Sequence, residues 1–305
     1  MLVFFGALLD APGGTARAAL IPELAEMASM PLERATSANQ VIERSSRLIG
    51  APLAGLLIAA LGTANVLWFD AISFFISAGI VTSLVAAPVI KAKIAKRGKY
   101  FQEILDGFRF IRKDALILAI VIIVMTTNFL DAAFSGVILP VYVNTRFGEA
   151  LQLGLIIAAS AGGSVLGAVI FGAIGHRLPR YATFGFMFVI TSIRTWIFAL
   201  YPPLAILLLA NFILSLGSGP LNPILDAVAY ERMPKDMRGR IYGTITAGAW
   251  IAMPLGVLLG GFLTEAYGVQ PLLIAIGAIY LGTTLSIAFI PAMKQMERSS
   301  KKIRP

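Results

Sequence analysis

The chain has 305 residues, of which 58% are apolar and only 13% charged, with a formal charge of +9 and no cysteine. An ordinary soluble domain carries about twice that share of charge, so this class is excluded. A disulfide framework and a thiolate metal site are excluded as well.

Long apolar runs recur along the whole chain, each of a length that suits a membrane-crossing helix. In order they fall near Leu2–Ile21, Ser46–Leu61, Val66–Ala87, Ala115–Val143, Leu151–Ile174, Tyr181–Tyr201, Leu204–Tyr230, Ile241–Phe262 and Pro271–Phe289. The second is short, and its helix is expected to begin as early as Ser37. The fold class is therefore all-α, a polytopic membrane protein of about nine transmembrane helices in a 3 + 6 arrangement.

The loops take the cations alternately. Every Lys and Arg except Arg146 and Arg194 falls on one side of this layout. Cytoplasmic loops retain cations, so that side is read as cytoplasmic, and the basic excess is read as topology rather than as a nucleic-acid surface. The basic C-terminus is expected inside and Met1 outside. No signal peptide is visible, and a start inside an apolar run reads as a truncated N-terminus.

Residues 88–114 separate the two groups of helices. They open on Lys91, Lys93, Lys96, Arg97 and Lys99 and continue as KYFQEILDGFRFIRKD. Phe101, Ile104, Leu105, Phe108 and Ile111 recur at helical spacing, which places Glu103, Asp106, Arg109 and Arg112 on other faces. The segment reads as a basic amphipathic helix on the inner membrane surface, tethering the two halves. The predicted segments are residues 1–87 with three helices, the linker 88–114, a six-helix bundle 115–293 and a basic cytoplasmic tail 294–305.

Residues 13–57 and 219–263 share a pattern of helix end, charged loop with one Pro, and Gly-rich helix. Gly50 and Gly55 align with Gly256 and Gly261. Repeats of this kind are the usual construction of secondary transporters, which hold substrate between their halves.

The stretches GAPLAGLL (50–57), GAIGHRLPR (172–180) and RGRIYGTITAGAWIAMPLGVLLGG (238–261) resemble the major facilitator superfamily, most closely its bacterial exporter branch of siderophore and drug efflux proteins. The resemblance implies two six-helix bundles, with this chain matching helices four to twelve and the first three absent. Residues 1–87 are then a partial N-terminal bundle. Gly50, Pro52 and Gly55 resemble the exporter motif of the fifth helix, with Ala51 inserted between Gly and Pro; with Gly256 and Gly261 they are the candidate helix-packing residues. Gly172, His176, Arg177 and Arg180 resemble the cytoplasmic gating loop of the second half. His176 stands there in place of the usual acid, so the residues serve either as a latch or as simple positive-inside anchors.

Ionisable groups at membrane depth are costly and mark function. Asp131 lies about 24 Å into its span, with Asn128 one turn earlier. Both are expected to line a cavity, Asp131 titrating or pairing with a cationic substrate, the alternative being an outer-rim polar residue that meets water. Asp10 is a second coupling candidate. Asp70, at a helix start, and Asp226, near the inner boundary, are read as structural or interfacial, and Arg194 as snorkelling outward, with a role in holding a substrate anion as its alternative. Asn211, Ser215, Ser218 and Asn222 form a polar stripe suited to a cavity wall or to interhelical hydrogen bonds, with the wall favoured.

Function is read as secondary active transport, proton-coupled efflux of a small amphipathic molecule by alternating access. The alternatives are a truncated, non-transporting or partner-binding membrane protein and, within the fold, metabolite uptake. Partners are the lipid bilayer, a small-molecule substrate and the proton gradient, with no nucleic acid. No cofactor or metal is expected. The chain lacks a phosphate-binding loop and hydrolase motifs, so it is not read as an enzyme.

Overall fold

The computed structural model describes residues 14, 18, 20–61, 63–84, 100–148, 150–234 and 237–297. These are helical throughout, with no strand among them. The elements are α1 (Leu32–Leu61), α2 (Thr63–Leu84), α3 (Tyr100–Lys113), α4 (Ala115–Arg146), α5 (Ala150–Ile174), α6 (Arg180–Ala199), α7 (Leu204–Arg232), α8 (Arg238–Tyr267) and α9 (Val269–Phe289). Among the described residues, α4 to α9 supply six helices long and apolar enough to cross a membrane. The predicted first span, Leu2–Ile21, lies almost wholly outside the described residues. The second helix begins at Leu32, well before Ser46, because the polar stretch to Ile42 packs against the bundle instead of entering lipid.

Two compact units result: residues up to Ile42 together with Glu103–Pro305, and Glu43–Gln102. The first contains α3 from Glu103 onward and the six spans. Its buried core includes an aromatic group, with Phe198 meeting Phe134 and Tyr142 edge-on at 5.1 and 5.4 Å.

Each of three spans carries a break, and in each the cause is a proline. Proline has no N–H, and its ring presses on the carbonyl four residues earlier. In α4 the turn Phe134–Ile138 widens to a π-helix around Gly136, four residues before Pro140. In α7 the helix interrupts at Leu216 and Gly217, and Leu216 is four before Pro220. In α8 it ends at Trp250 and restarts at Met253, with Trp250 four before Pro254.

Small residues decide which helices touch closely. A Cβ on Gly163 would meet the Phe212 carbonyl, one on Gly167 the Leu216 carbonyl, and one on Gly219 the Ala168 amide. The α5 and α7 backbones are therefore in direct contact, the arrangement favoured in membranes where lipid supplies no hydrophobic drive between helices. In the same way a Cβ on Gly256 would meet the Phe129 carbonyl of α4, and one on Gly260 would lie 2.9 Å from the Ala133 Cβ.

Candidate functional site

A polar network runs through the six-span unit at membrane depth. Arg194 on α6 donates from Nη2 to Asp131 Oδ1 on α4 at 3.1 Å, and the Tyr280 hydroxyl on α9 approaches the other Asp131 oxygen at 3.4 Å. Arg194 Nη1 approaches Ser160 Oγ on α5 at 3.4 Å, and Ser160 shares a 2.9 Å hydrogen bond with Ser215 on α7. The guanidinium carbon also lies 5.3 Å from the Phe134 ring centre, in the range of a cation–π contact. Asn128, one turn before Asp131, donates to the Ala249 carbonyl at 3.0 Å, beside the break in α8. Five spans therefore share this chain of contacts, and α8 is joined to α4 by Asn128 beside it.

The pair at its centre is loosely made. Arg194 uses one nitrogen on one oxygen instead of the two-pronged contact the groups allow, and its Nε is buried with no hydrogen-bond partner. The Arg194 side chain is 17% exposed and that of Asp131 41%, so the surrounding helices cover the two ends unequally. The expected outward snorkelling of Arg194 is not what forms. Its guanidinium turns inward because Asp131 offers a counter-charge at the same depth.

The stripe on α7 resolves into packing. Asn211 donates to the Ile156 carbonyl at 2.8 Å, Ser215 meets Ser160, and Ser218 donates to Ser164 at 2.9 Å. Partners on α5 recur every four residues, so three of the four stripe residues bond helix to helix instead of forming the favoured wall. Asn222 is exposed and takes no part in that ladder. Gly256 packs on α4 as expected, but Gly261 has nothing within 4 Å of where a Cβ would stand. A helix returns to the same face after four residues, not five, so Gly260 is the second packing glycine. Gly50, Pro52 and Gly55 fall within α1, where their side-chain surroundings lie outside the described residues, and Asp10 lies outside them altogether.

At the end of the bundle where α6 begins, Arg180 is buried and pairs with two carboxylates. Nε and Nη2 donate to Glu33 Oε1 at 2.9 and 2.8 Å, while Nη1 and Nη2 donate to Glu231 at 2.6 Å each. Glu297 accepts from the backbone N–H groups of Arg180 and Tyr181, placing an acid on the start of α6. Residues Pro291–Met296 form a 3-10 turn with Met293 and Met296 buried, so the described part of the predicted tail, up to Glu297, packs on the bundle. His176 accepts a hydrogen bond from its neighbour Arg177 at 3.2 Å on the surface. Gly172 lies against Ser37 of α1. Among the described residues, Arg180 alone of the four gating-loop candidates pairs with acids, and those acids come from elsewhere in the chain rather than from position 176.

A family model described as the Major Facilitator Superfamily matches residues 121–305, more than half of the chain. This chain belongs to the Major Facilitator Superfamily. It is accordingly a multi-pass membrane transporter and not an enzyme. The multidrug efflux pump Tap of Mycobacterium tuberculosis is 28% identical over 298 residues, covering 97% of this chain and 71% of that protein. Tap of Mycolicibacterium fortuitum is 28% identical over 308 residues, 99% of this chain and 74% of that one. The uncharacterized MFS-type transporter YfiS of Bacillus subtilis is 26% identical over 269 residues, covering 82% and 61%.

Within this superfamily member, the residues that sequence reasoning passed over are Arg194 as a partner, Tyr280 and Ser160. A tyrosine in an otherwise apolar span is one available signal, since a buried hydroxyl needs a partner. Ser160 and Ser164 recur at a four-residue interval, which also matches the α7 stripe.

Proposed function

We propose that this chain exports a small amphipathic molecule by alternating access, with Asp131 as the proton-coupling carboxylate and Arg194 as its internal counter-ion. The carrying observation is the loosely made Asp131–Arg194 pair, linked by contacts to five of the six spans, with Asn128 joining α4 to the sixth one turn away. Similarity to multidrug efflux pumps over nearly the whole chain supports the direction and the kind of substrate.

The coupling works through charge. Ionised Asp131 holds Arg194 and accepts from Tyr280, tying α4 to α6 and α9. A proton arriving on Asp131 removes the negative charge, and Arg194 keeps only Ser160 and the Phe134 face. Releasing α4 from α6 then allows the spans to move at their proline breaks, and proton release on the other side restores the pair. With cation-rich loops inside, the Arg180 cluster closes the cytoplasmic end.

The test is transport of a fluorescent amphipathic cation by the purified protein in proteoliposomes under an imposed pH gradient. Gradient-driven movement that Asp131→Asn abolishes is the expected result. Transport indifferent to the gradient, or unchanged in Asp131→Asn, removes the proton-coupling assignment.

A further inference from the structure

The amphipathic helix α3 divides its apolar residues between two opposite faces. Ile111 is buried and Phe110 partly so on the side facing the bundle, and Gly107 on that side lies so close to Thr244 of α8 that a Cβ would collide with its hydroxyl. On the opposite face Leu105 is 50% exposed and Phe108 55%. At 100° per residue, Leu105, Phe108, Arg109 and Arg112 fall within one narrow stripe, so the two arginines share the outward apolar face instead of lying on other faces. Arg109 pairs with Asp106 at 3.2 Å, whereas Arg112 and Lys113 make no ion pair among the described residues.

We propose that this outward stripe is a binding surface for anionic phospholipid headgroups, gripping the bilayer beside the start of α4. Two observations choose the bilayer over a soluble acidic partner. Asp114, directly after α3, accepts from the Leu116 and Ile117 amides and so caps the span α4, which fixes this end of α3 at the membrane boundary. In addition the stripe carries large apolar groups between cations. Leu105 and Phe108 insert below the headgroups while the arginine stems reach up to the phosphates, the geometry of interfacial helices. Gly107 lies against Thr244, so α8 is packed on the helix that makes that grip.

The chain has no cysteine, so a single reporter needs no background substitution. Leu105→Cys in the full chain carries a small environment-sensitive fluorophore. The protein is placed in nanodiscs of phosphatidylcholine alone or with increasing phosphatidylglycerol, with shallow brominated lipid as quencher. Quenching should rise with phosphatidylglycerol, fall severalfold in Arg109→Gln/Arg112→Gln/Lys113→Gln, and weaken with added salt in the unaltered sequence background. The salt series reads the charge effect even where the triple variant fails to fold. A fluorophore that stays in water in all discs, or is shielded already in detergent by another part of the protein, overturns the proposal. Quenching that ignores both phosphatidylglycerol and salt leaves only apolar insertion and equally overturns the anionic specificity.

Discussion

Arg194 on α6 and Asp131 on α4 meet through a single 3.1 Å contact, with Tyr280 on the second carboxylate oxygen and Arg194 Nε left buried without a partner. A guanidinium that spends so few of its five donors on its counter-ion is held by charge rather than by a closed set of hydrogen bonds. Such a pair can be opened by one proton on the carboxylate, which is what a coupling site requires.

A double-mutant cycle separates charge from packing at this pair. Asp131→Asn strands a cation, and Arg194→Gln strands a carboxylate; losing a hydrogen bond to a charged group costs about 1.5–3 kcal/mol in either case. The double variant has no stranded charge and should recover most of the thermal stability in detergent while remaining unable to couple transport to a proton gradient. Additive losses in stability would mean that the two groups do not act on one another.

Asp131 and Asn128 were legible as polar residues at depth because nothing else in an apolar run explains them. Their partners were not, since Arg194, Tyr280 and Ala249 lie 63, 149 and 121 residues away, and spacing along one helix carries no information across helices. The α7 stripe was legible as a face, yet only the opposing Ile156, Ser160 and Ser164 decide that it is packed. Pro140, Pro220 and Pro254 fall inside spans read as continuous from the sequence, yet each break lies four residues upstream as the steric rule demands. The glycine repeat misled at Gly261, because an interval of five aligns two segments without placing both ends on one face.

The α5–α7 contact should depend on size far more than on hydrogen bonding. Gly219→Val drives side-chain atoms into the Ala168 amide and the Ser164 carbonyl, both backbone, which cannot move aside cheaply. Overpacking of this kind costs about 1–3 kcal/mol or more. Ser218→Ala removes one 2.9 Å bond between helices, worth about 0.6 kcal/mol on average in a membrane. Thermal unfolding of the two variants should rank them in that order by a clear margin. A larger loss from Ser218→Ala would show that hydrogen bonds, not close approach, hold these helices.

The break in α8 offers a test of movement. Pro254→Ala restores an N–H opposite the Trp250 carbonyl and lets the helix run through Ile251 and Ala252. Amide exchange across residues 250–254 should slow, and the transport rate should fall while substrate affinity in the resting protein changes little. Slower exchange with undiminished transport would show that this break is not a moving part.

The Arg180 cluster should respond to its two carboxylates unequally. The guanidinium and Glu33 are 2% and 4% exposed, while Glu231 is 44% exposed. Breaking a buried pair by removing one partner costs about 3–5 kcal/mol, and exposure reduces that sharply. Glu33→Gln should therefore destabilise more than Glu231→Gln, although the Glu231 contacts are the shorter ones at 2.6 Å. Arg180→Lys keeps the charge but loses the planar fork that reaches both acids, and it should fall near Glu33→Gln rather than near the unaltered protein. Salt discriminates further: raising ionic strength should narrow the gap between Glu231→Gln and the parent while leaving the Glu33→Gln deficit in place, because only the exposed carboxylate is screened. Thermal unfolding in nanodiscs at two salt concentrations measures all four terms. Equal losses at the two glutamates would place the stabilising charge in the headgroup region and not in the buried cluster.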